Sequence, residues 1–259
     1  MGKMFAEERR GLILTQLQKE KRITVKDLAK NLNVSEATLR TDLNIMEQDG
    51  LLTRTHGGAV LNENSTPKNN SFSERATKNI DYKRSITNKA INMIVDKNSI
   101  LLDASTTALE LARRLKETDL RLTVVTNGLM TAMELKENPN VNVILIGGIA
   151  RMGSMALEGL LGSSILDKIN IDVMFTSANG FTIGDGLTDF NVYEVELKRR
   201  MVEKADKVVA LIDNTKVGNS SIASFATIDQ IDTLITDKKL PREIADELTS
   251  YDMNVIDGK

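Results

Sequence analysis

The 259-residue sequence has no cysteine and a single histidine, His56. Without cysteine there is no disulfide, no thiol nucleophile and no cysteine-ligated zinc or iron–sulfur centre, and one imidazole rules out a multi-histidine metal site. The chain also lacks an uninterrupted apolar run of the ~20 residues that a membrane-spanning helix needs. Its opening stretch, MGKMFAEERRGLILTQL, has neither the continuous apolar core nor the small-residue cleavage pattern of a secretory signal, so the expected compartment is the cytoplasm, with no membrane partner. Lys+Arg 34 against Asp+Glu 36 leaves a formal net charge of -2. A uniformly basic nucleic-acid coat is thereby excluded, while a local cationic patch is not.

A composition of 41% hydrophobic and 27% charged residues is that of a folded chain rather than a disordered or fibrous one. The length exceeds the ~100–200 residues usual for one domain, so two domains are expected. Patterning changes along the chain in the same sense. From Glu7 to about Val60 there are three short amphipathic segments and a glycine-containing strand pair; from about Ile86 onward, Val/Ile-rich strands alternate with helices. Between them, LNENSTPKNNSFSERATKN is rich in Asn, Ser and Thr and carries Pro67, a linker composition. The expected division is residues 1–60, a linker over 61–74, and residues 75–259.

The first helix is expected over Glu7 to Lys19, with Leu12, Ile13 and Leu17 facing inward. The second starts after the N-cap Thr24 and buries Leu28, Ala29 and Leu32. A turn through Asn33 and Val34 leads to Ser35, which caps a third helix running to Gln48. Two short helices joined by so tight a turn form a helix-turn-helix. On the third helix Leu39, Leu43 and Met46 make one stripe, so Ala37, Thr41 and Asn44 point away, with Thr38 and Arg40 at the margins. A slim polar face of this kind fits a major groove: Thr and Asn meet base edges, and Arg pairs with guanine or phosphate. LLTRTHGGAVL then offers two strand pieces around Gly57 and Gly58, with Arg54 and His56 at the tip, which reads as a wing that approaches phosphate or the minor groove.

In the larger part, Ser99 to Asp103 reads as a strand entering Ala104-Ser105-Thr106-Thr107 and then a helix that buries Leu111, Ala112 and Leu115. Amides at that helix start, aided by the Ser105, Thr106 and Thr107 hydroxyls, suit a phosphate. Strands at Leu122 to Thr126 and Val141 to Ile146 open into Asn127-Gly128 and Gly147-Gly148. Loops of this kind gather beyond the carboxyl ends of parallel strands, where α/β folds take ligands. Asn127 suits a sugar hydroxyl, and Gly148 allows close backbone approach.

The segment EERRGLILTQLQKEKRITVKDLAKNLNVSEATLRTDLNIMEQDGLLTRTHGGAV resembles the winged-helix domain of the DeoR family of bacterial transcriptional regulators. The resemblance continues through LLDASTTALELARRL, LTVVTNGLM, VNVILIGGIA, DVMFTSANG and LIDNTKVG, nearly the whole chain. It implies a winged helix-turn-helix followed by a three-layer α/β/α effector domain of phosphosugar-isomerase type. The DNA-binding residues so implied are Ser35, Thr38, Arg40, Thr41, Asn44, Arg54 and His56. The implied effector pocket draws on Asn79, Lys83, Asp103, Ser105, Thr106, Thr107, Asn127, Gly148 and Lys216, with no cofactor and no metal. The implied partners are operator DNA, a sugar phosphate and further copies of the chain, as homodimer or homotetramer. Two positions depart from the family pattern: Thr41 stands where a second arginine is usual, and Ser105 replaces the glycine of a Ser-Gly-Thr-Thr turn.

The function implied is a repressor of carbohydrate-metabolism genes whose operator affinity responds to a phosphorylated sugar, and not an enzyme. Asp103, Asp185 and Asp213 leave a phosphosugar-isomerase reading open, because carboxylates can move the protons of isomerisation. A DNA-binding structural protein with a noncatalytic assembly domain is the other alternative.

Overall fold

The computed structural model describes residues 6–48, 51–61 and 72–258, and the chain divides into two units, Met1–Glu74 and Arg75–Lys259. In the first, helix α1 (Ala6–Glu20) turns Ile13, Leu14 and Leu17 inward. Leu12, expected on that face, is instead exposed: at about 100° per residue it falls roughly 150° from the centre of the stripe. Strand β1 (Arg22–Thr24) follows, then α2 (Val25–Leu32), capped by the Thr24 hydroxyl, which accepts from the Asp27 amide at 3.1 Å. Asn33, left-handed at φ 52, ends α2. Then come α3 (Glu36–Gln48), β2 (Leu52–Thr55) and β3 (Gly58–Leu61). Leu28, Leu39, Leu43, Met46, Leu52 and Ala59 close one core with the α1 stripe, while Ala29 and Leu32 lie at its margin.

The wing is three-stranded, in the order β1-β3-β2 and antiparallel throughout. β1 was not anticipated, because only Ile23 of its three residues is apolar; it is held by main-chain pairing with β3. This explains the glycine pair differently from a simple need for reversal. Neither Gly57 nor Gly58 has a positive φ. A Cβ on Gly58 would lie 2.0 Å from the Ile23 carbonyl oxygen, whereas one on Gly57 would meet nothing within 4 Å.

Of the expected linker, residues 62–71 lie outside the described residues. Its last three residues belong to helix α4 (Phe72–Thr77), with Phe72 buried. In the second unit α5 (Ile80–Ala90) leads to β4 (Ser99–Leu102), α6 (Thr106–Leu115), β5 (Leu122–Thr126), α7 (Leu129–Leu135) and β6 (Val141–Leu145). A short ribbon of β7 (Ile149–Ala150) and β8 (Leu157–Glu158) precedes β9 (Val173–Thr176). Then follow β10 (Gly180–Thr182), β11 (Gly186–Asp189), α8 (Val192–Lys204), β12 (Val208–Leu211), β13 (Ala223–Ala226), β14 (Thr233–Ile235), α9 (Arg242–Leu248) and β15 (Asn254–Ile256).

Seven strands form one parallel sheet in the order β15-β14-β12-β9-β4-β5-β6. Alternate residues serve opposite faces. Ile100, Leu102 and Phe175 pack with Ile86, Leu111 and Leu135 of α5, α6 and α7; Leu101 and Met174 pack with Val195, Met201 and Leu248 of α8 and α9. The result is three layers, α/β/α. From β4 the chain builds outward through β5 and β6, then returns to the other side of β4 with β9. The order therefore reverses between β4 and β9, the place where open α/β sheets bind ligands beyond the carboxyl ends of their strands. The antiparallel set β10-β11-β13 brings Asp189 to the same end.

Adding a single methyl group at each wing glycine separates the two roles. Gly58→Ala should destabilise the first unit by ~1–3 kcal/mol, the usual cost of forcing atoms into a packed site, while Gly57→Ala should leave it unchanged. Urea unfolding followed by circular dichroism reads the difference, and equal stability of the two variants would contradict the β1 contact.

Candidate functional site

Two sites emerge, one in each unit. On α3 the expected polar face is exposed: Ser35, Arg40, Thr41 and Asn44 open to solvent, with Thr38 half-buried. The Ser35 hydroxyl accepts from the Thr38 amide at 3.1 Å and lies 2.8 Å from the Thr38 hydroxyl. Arg40 pairs with Glu36 at 3.1 Å, both exposed. The Thr41 hydroxyl donates to the Ala37 carbonyl. Asp42, one position on, is buried and accepts from Arg9 at 2.5 Å and Arg10 at 3.1 Å, so it bolts α1 to the recognition helix. Arg54 is not at the wing tip as expected. It lies within β2, its amide bonded to Glu47 and its guanidinium to the Asn44 side chain. That leaves exposed His56, in the turn between β2 and β3, as the tip residue.

At the switch point of the second unit the central group is Lys198, 1% exposed. Its ammonium donates to Asp189 at 2.9 Å and to the Ser177 carbonyl at 2.9 Å, pairs with Asp103 at 3.1 Å and lies 3.7 Å from Glu194. The Phe225 ring covers it at 4.7 Å. Burial opposes this charge, but the carboxylates of Asp189, Asp103 and Glu194 outweigh it and hold Lys198 well above the ordinary lysine pKa. Burial lifts Glu194 to about 7, the charges of Asp189 and Asp103 adding to the rise against the pull of Lys198. Burial also opposes ionisation of Asp189, yet Lys198 keeps its pKa below the usual carboxylate value.

Asp103 has both oxygens engaged. One accepts from the Ser105 amide at 3.0 Å; the other accepts from the Thr176 hydroxyl at 2.6 Å and the Ser177 amide at 3.1 Å, besides Lys198. This corrects its expected role: Asp103 fixes the loop after β4 rather than presenting a free acceptor to a ligand. Ser105 caps α6 by accepting from the Ala108 amide, at φ -73, so its backbone does not call for glycine. Beyond that cap, the amides of Thr106 and Thr107 have no intrahelical acceptor.

A second group of charges stands at the same end of the sheet. Lys83, buried in the first turn of α5, donates to the carbonyls of Arg75 and Lys78. Half-buried Lys216 donates to the Ala178 carbonyl at 2.7 Å. Among the described residues neither ammonium has a carboxylate within ion-pairing distance. Burial first, and then the like charge of Lys216, lowers Lys83 to about 8; burial likewise lowers Lys216. Asp213 attracts both, but one of its oxygens accepts from the Thr215 amide and hydroxyl. Asn79, left-handed at the start of α5, reaches the Thr215 hydroxyl at 3.5 Å. Nearby strand ends carry unsatisfied polar atoms: the buried Oδ1 of Asn127 and Oγ of Ser177 have no partner. Gly148 serves the ribbon, since a Cβ there would lie 2.6 Å from the Glu158 carbonyl.

The fold therefore brings Asn79, Lys83, Ser105, Thr106, Thr107, Asn127 and Lys216 to one end of the sheet. The residues that sequence reading missed are Ser177, Asp189, Glu194 and Lys198. Lys198 carried a legible signal. It falls three residues from both Val195 and Met201, on a buried helical stripe where a lysine is out of place unless paired.

Comparison with known proteins accords with this arrangement. Residues 9–65 match a family model described as DeoR-like helix-turn-helix domain, and residues 78–238 one described as DeoR C terminal sensor domain. The chain is 46% identical over 241 residues to the HTH-type transcriptional regulator GolR of Listeria innocua serovar 6a, covering 93% of this chain and 94% of that one. It is 34% identical over 249 residues to the HTH-type transcriptional repressor GlcR of Bacillus subtilis strain 168, covering 93% and 91%. Among solved structures, ribose 5-phosphate isomerase A from Methanocaldococcus jannaschii aligns at a TM-score of 0.42 and 17% identity, over 54% of this chain and 55% of that one. A likeness that distant carries no functional argument.

The Lys198 cluster sets a pH dependence. Glu194, at about 7 in the fold against 4.5 when free, holds a proton that the unfolded chain has lost, so its contribution to stability falls as pH rises from 4.5 to 7 and then levels off. Glu194→Gln should remove that slope and gain on the wild type with rising pH, by up to ~3 kcal/mol between pH 4.5 and 8. Lys198→Met strands buried carboxylates and should cost ~3–5 kcal/mol at neutral pH. Urea unfolding at pH 5 and 8 checks both.

Proposed function

The chain belongs to the DeoR family of DNA-binding transcriptional regulators, and we propose that it represses carbohydrate-metabolism genes and that a phosphorylated sugar changes its hold on the operator. The observation that carries the effector class is the pair Lys83 and Lys216. Lys83 is buried and Lys216 half-buried, and the hydrogen bonds of each ammonium go to main-chain carbonyls, with no carboxylate at ion-pairing distance among the described residues. Buried charge is costly unless compensated, and a phosphate dianion supplies the compensation. The amides and hydroxyls at the start of α6 add donors with the favourable end of the helix dipole. The unsatisfied Asn127 Oδ1 and Ser177 Oγ suit hydroxyls of the sugar portion.

The effector binds and leaves chemically unchanged, and no cofactor takes part. Asp103, Asp185 and Asp213, the carboxylates that left an isomerase reading open, each accept from protein donors. On the operator, Arg40, Thr41 and Asn44 read or approach bases, Ser35 and Thr38 sit at the phosphate-facing start of the helix, and Arg54 fixes Asn44 from the wing. His56 approaches the backbone at the wing tip. Repression accords with the name of GlcR, and the cytoplasm is where such a protein meets its operator. Release requires the sugar phosphate to bind the DNA-incompetent state more tightly than the competent one.

Fluorescence-anisotropy titration of the upstream promoter DNA, with phosphorylated sugars and their parent sugars, tests the proposal. One phosphosugar should weaken binding while its parent does not; a promoter affinity unmoved by every phosphosugar would sink the effector assignment. Arg40→Ala and Asn44→Ala should each cost ~1–3 kcal/mol of operator binding, the worth of a good base contact. Lys216→Gln should keep operator affinity and lose the effector response. Effector affinity should also fall as pH rises through about 8, where Lys83 loses its proton; an unchanged affinity between pH 7 and 9 would remove Lys83 from the phosphate site.

A further inference from the structure

Among the described residues exposed large apolar side chains are few, and most cluster about the β7–β8 ribbon. Met152 at its tip is 87% exposed and Leu161 is 80% exposed; Leu145, Ile149, Leu160 and Tyr193 are about half-exposed. These positions form one surface. The ribbon pairs Ile149 with Glu158. A Cβ on Gly162 would lie 2.3 Å from the Gly147 carbonyl, which sets Leu161 beside the end of β6. The Gly159 amide donates to the Tyr193 carbonyl at 3.2 Å, and the Arg151 guanidinium lies 4.2 Å from the Tyr193 ring centroid.

We infer that this surface is where a second copy of the chain docks, face to face about a two-fold axis. The exposed area of the six apolar residues is on the order of 600 Å², at the upper limit of the largest patch on an ordinary monomer. A standard interface takes ~800 Å² from each partner, and the apolar patch supplies the larger part of that. Its charge suits self-docking: Arg151 is the ribbon's cation, and it is offset within the same chain by Glu158 at 3.2 Å. Two identical neutral faces meet without repulsion. A second copy, rather than another protein, also meets a need of the operator-binding reading, on which this part of the inference rests. Each chain has one recognition helix, and helix-turn-helix proteins read paired half-sites as dimers.

The same ribbon is tied to the effector side of the sheet. The Leu157 amide donates to the Asn127 carbonyl at 2.8 Å, the Asn127 side chain donates to the Leu157 carbonyl at 3.0 Å, and the Leu129 amide donates to the Met155 carbonyl. A ligand that engages Asn127 therefore acts on the back of the surface that the second copy covers.

The absence of cysteine makes the test direct. Light scattering on the purified full chain, without DNA or sugar, should give at least twice the chain mass of 28.6 kDa. The double variant Met152→Asp/Leu161→Asp should halve that mass or more while keeping the wild-type melting temperature. Independently of folding in that variant, Leu161→Cys or Met152→Cys should be linked into a dimer by a short bis-maleimide. Val95→Cys, exposed at the amino-terminal end of the sheet, should not. A wild type of single-chain mass, a folded double variant of unchanged mass, or linkage from Val95→Cys equal to that from the ribbon would each overturn the inference. Mass and linkage are read without DNA or sugar, so the operator and effector titrations test the regulatory reading separately.

Discussion

The second unit depends on one buried ammonium. Lys198 joins three elements that the chain delivers to the switch point separately: Asp103 after β4, the Ser177 carbonyl after β9 and Asp189 at the end of β11. Removing an ion pair from water costs several kcal/mol per ion, repaid only when the geometry is good and the remaining lone pairs are satisfied. Here they are, because Asp103 also accepts from Ser105, Thr176 and Ser177. The start of α6 is thus held from beneath by a carboxylate, while the amides of Thr106 and Thr107 have no intrahelical acceptor.

The DNA-binding unit repeats the arrangement with the signs reversed. Asp42 faces inward from the recognition helix and is gripped by Arg9 and Arg10 of α1. In each unit a charge in or just before the functional helix is consumed internally to fix that helix's position, and its neutral or weakly paired neighbours face outward. Position and specificity are then set by different residues. Thr41 takes no part in the Asp42 clamp, its hydroxyl turning back to the Ala37 carbonyl, whereas Ser105 caps α6 and so helps to hold it.

How much of this was legible in the sequence follows from range. The strands β4 and β5 are near-continuous apolar runs, and α3 has a clear apolar stripe, so both elements and their outward faces could be read from local pattern. β1 could not, because its pairing with β3 is main-chain and its residues are mostly polar. The cause of the Gly58 requirement lies 35 residues away at Ile23, and no local pattern reports that. The candidate effector residues Ser105, Thr106 and Thr107 came from the family motif, whereas the Lys198 network required knowing that β4, β9 and β11 end together. Asp103 shows the limit most clearly. Its position at a strand end suggested a ligand contact, and only the spatial neighbours reveal that it is fully occupied.

The recognition face carries little charge of its own. Thr41 turns its hydroxyl back to the Ala37 carbonyl, leaving Arg40 as the cation on that face, and Arg40 rests against Glu36. An exposed i,i+4 pair is worth only ~0.3–0.5 kcal/mol, so parting Arg40 from Glu36 costs little. Arg54 is held differently, by Asn44 on one side and Glu47 on the other, so it adds rigidity to the helix–wing junction as much as charge. Each phosphate neutralised steepens the salt dependence of DNA binding by about one unit of slope. With so few exposed cations, the polar face of α3 offers mainly neutral hydrogen-bonding groups to whatever it meets.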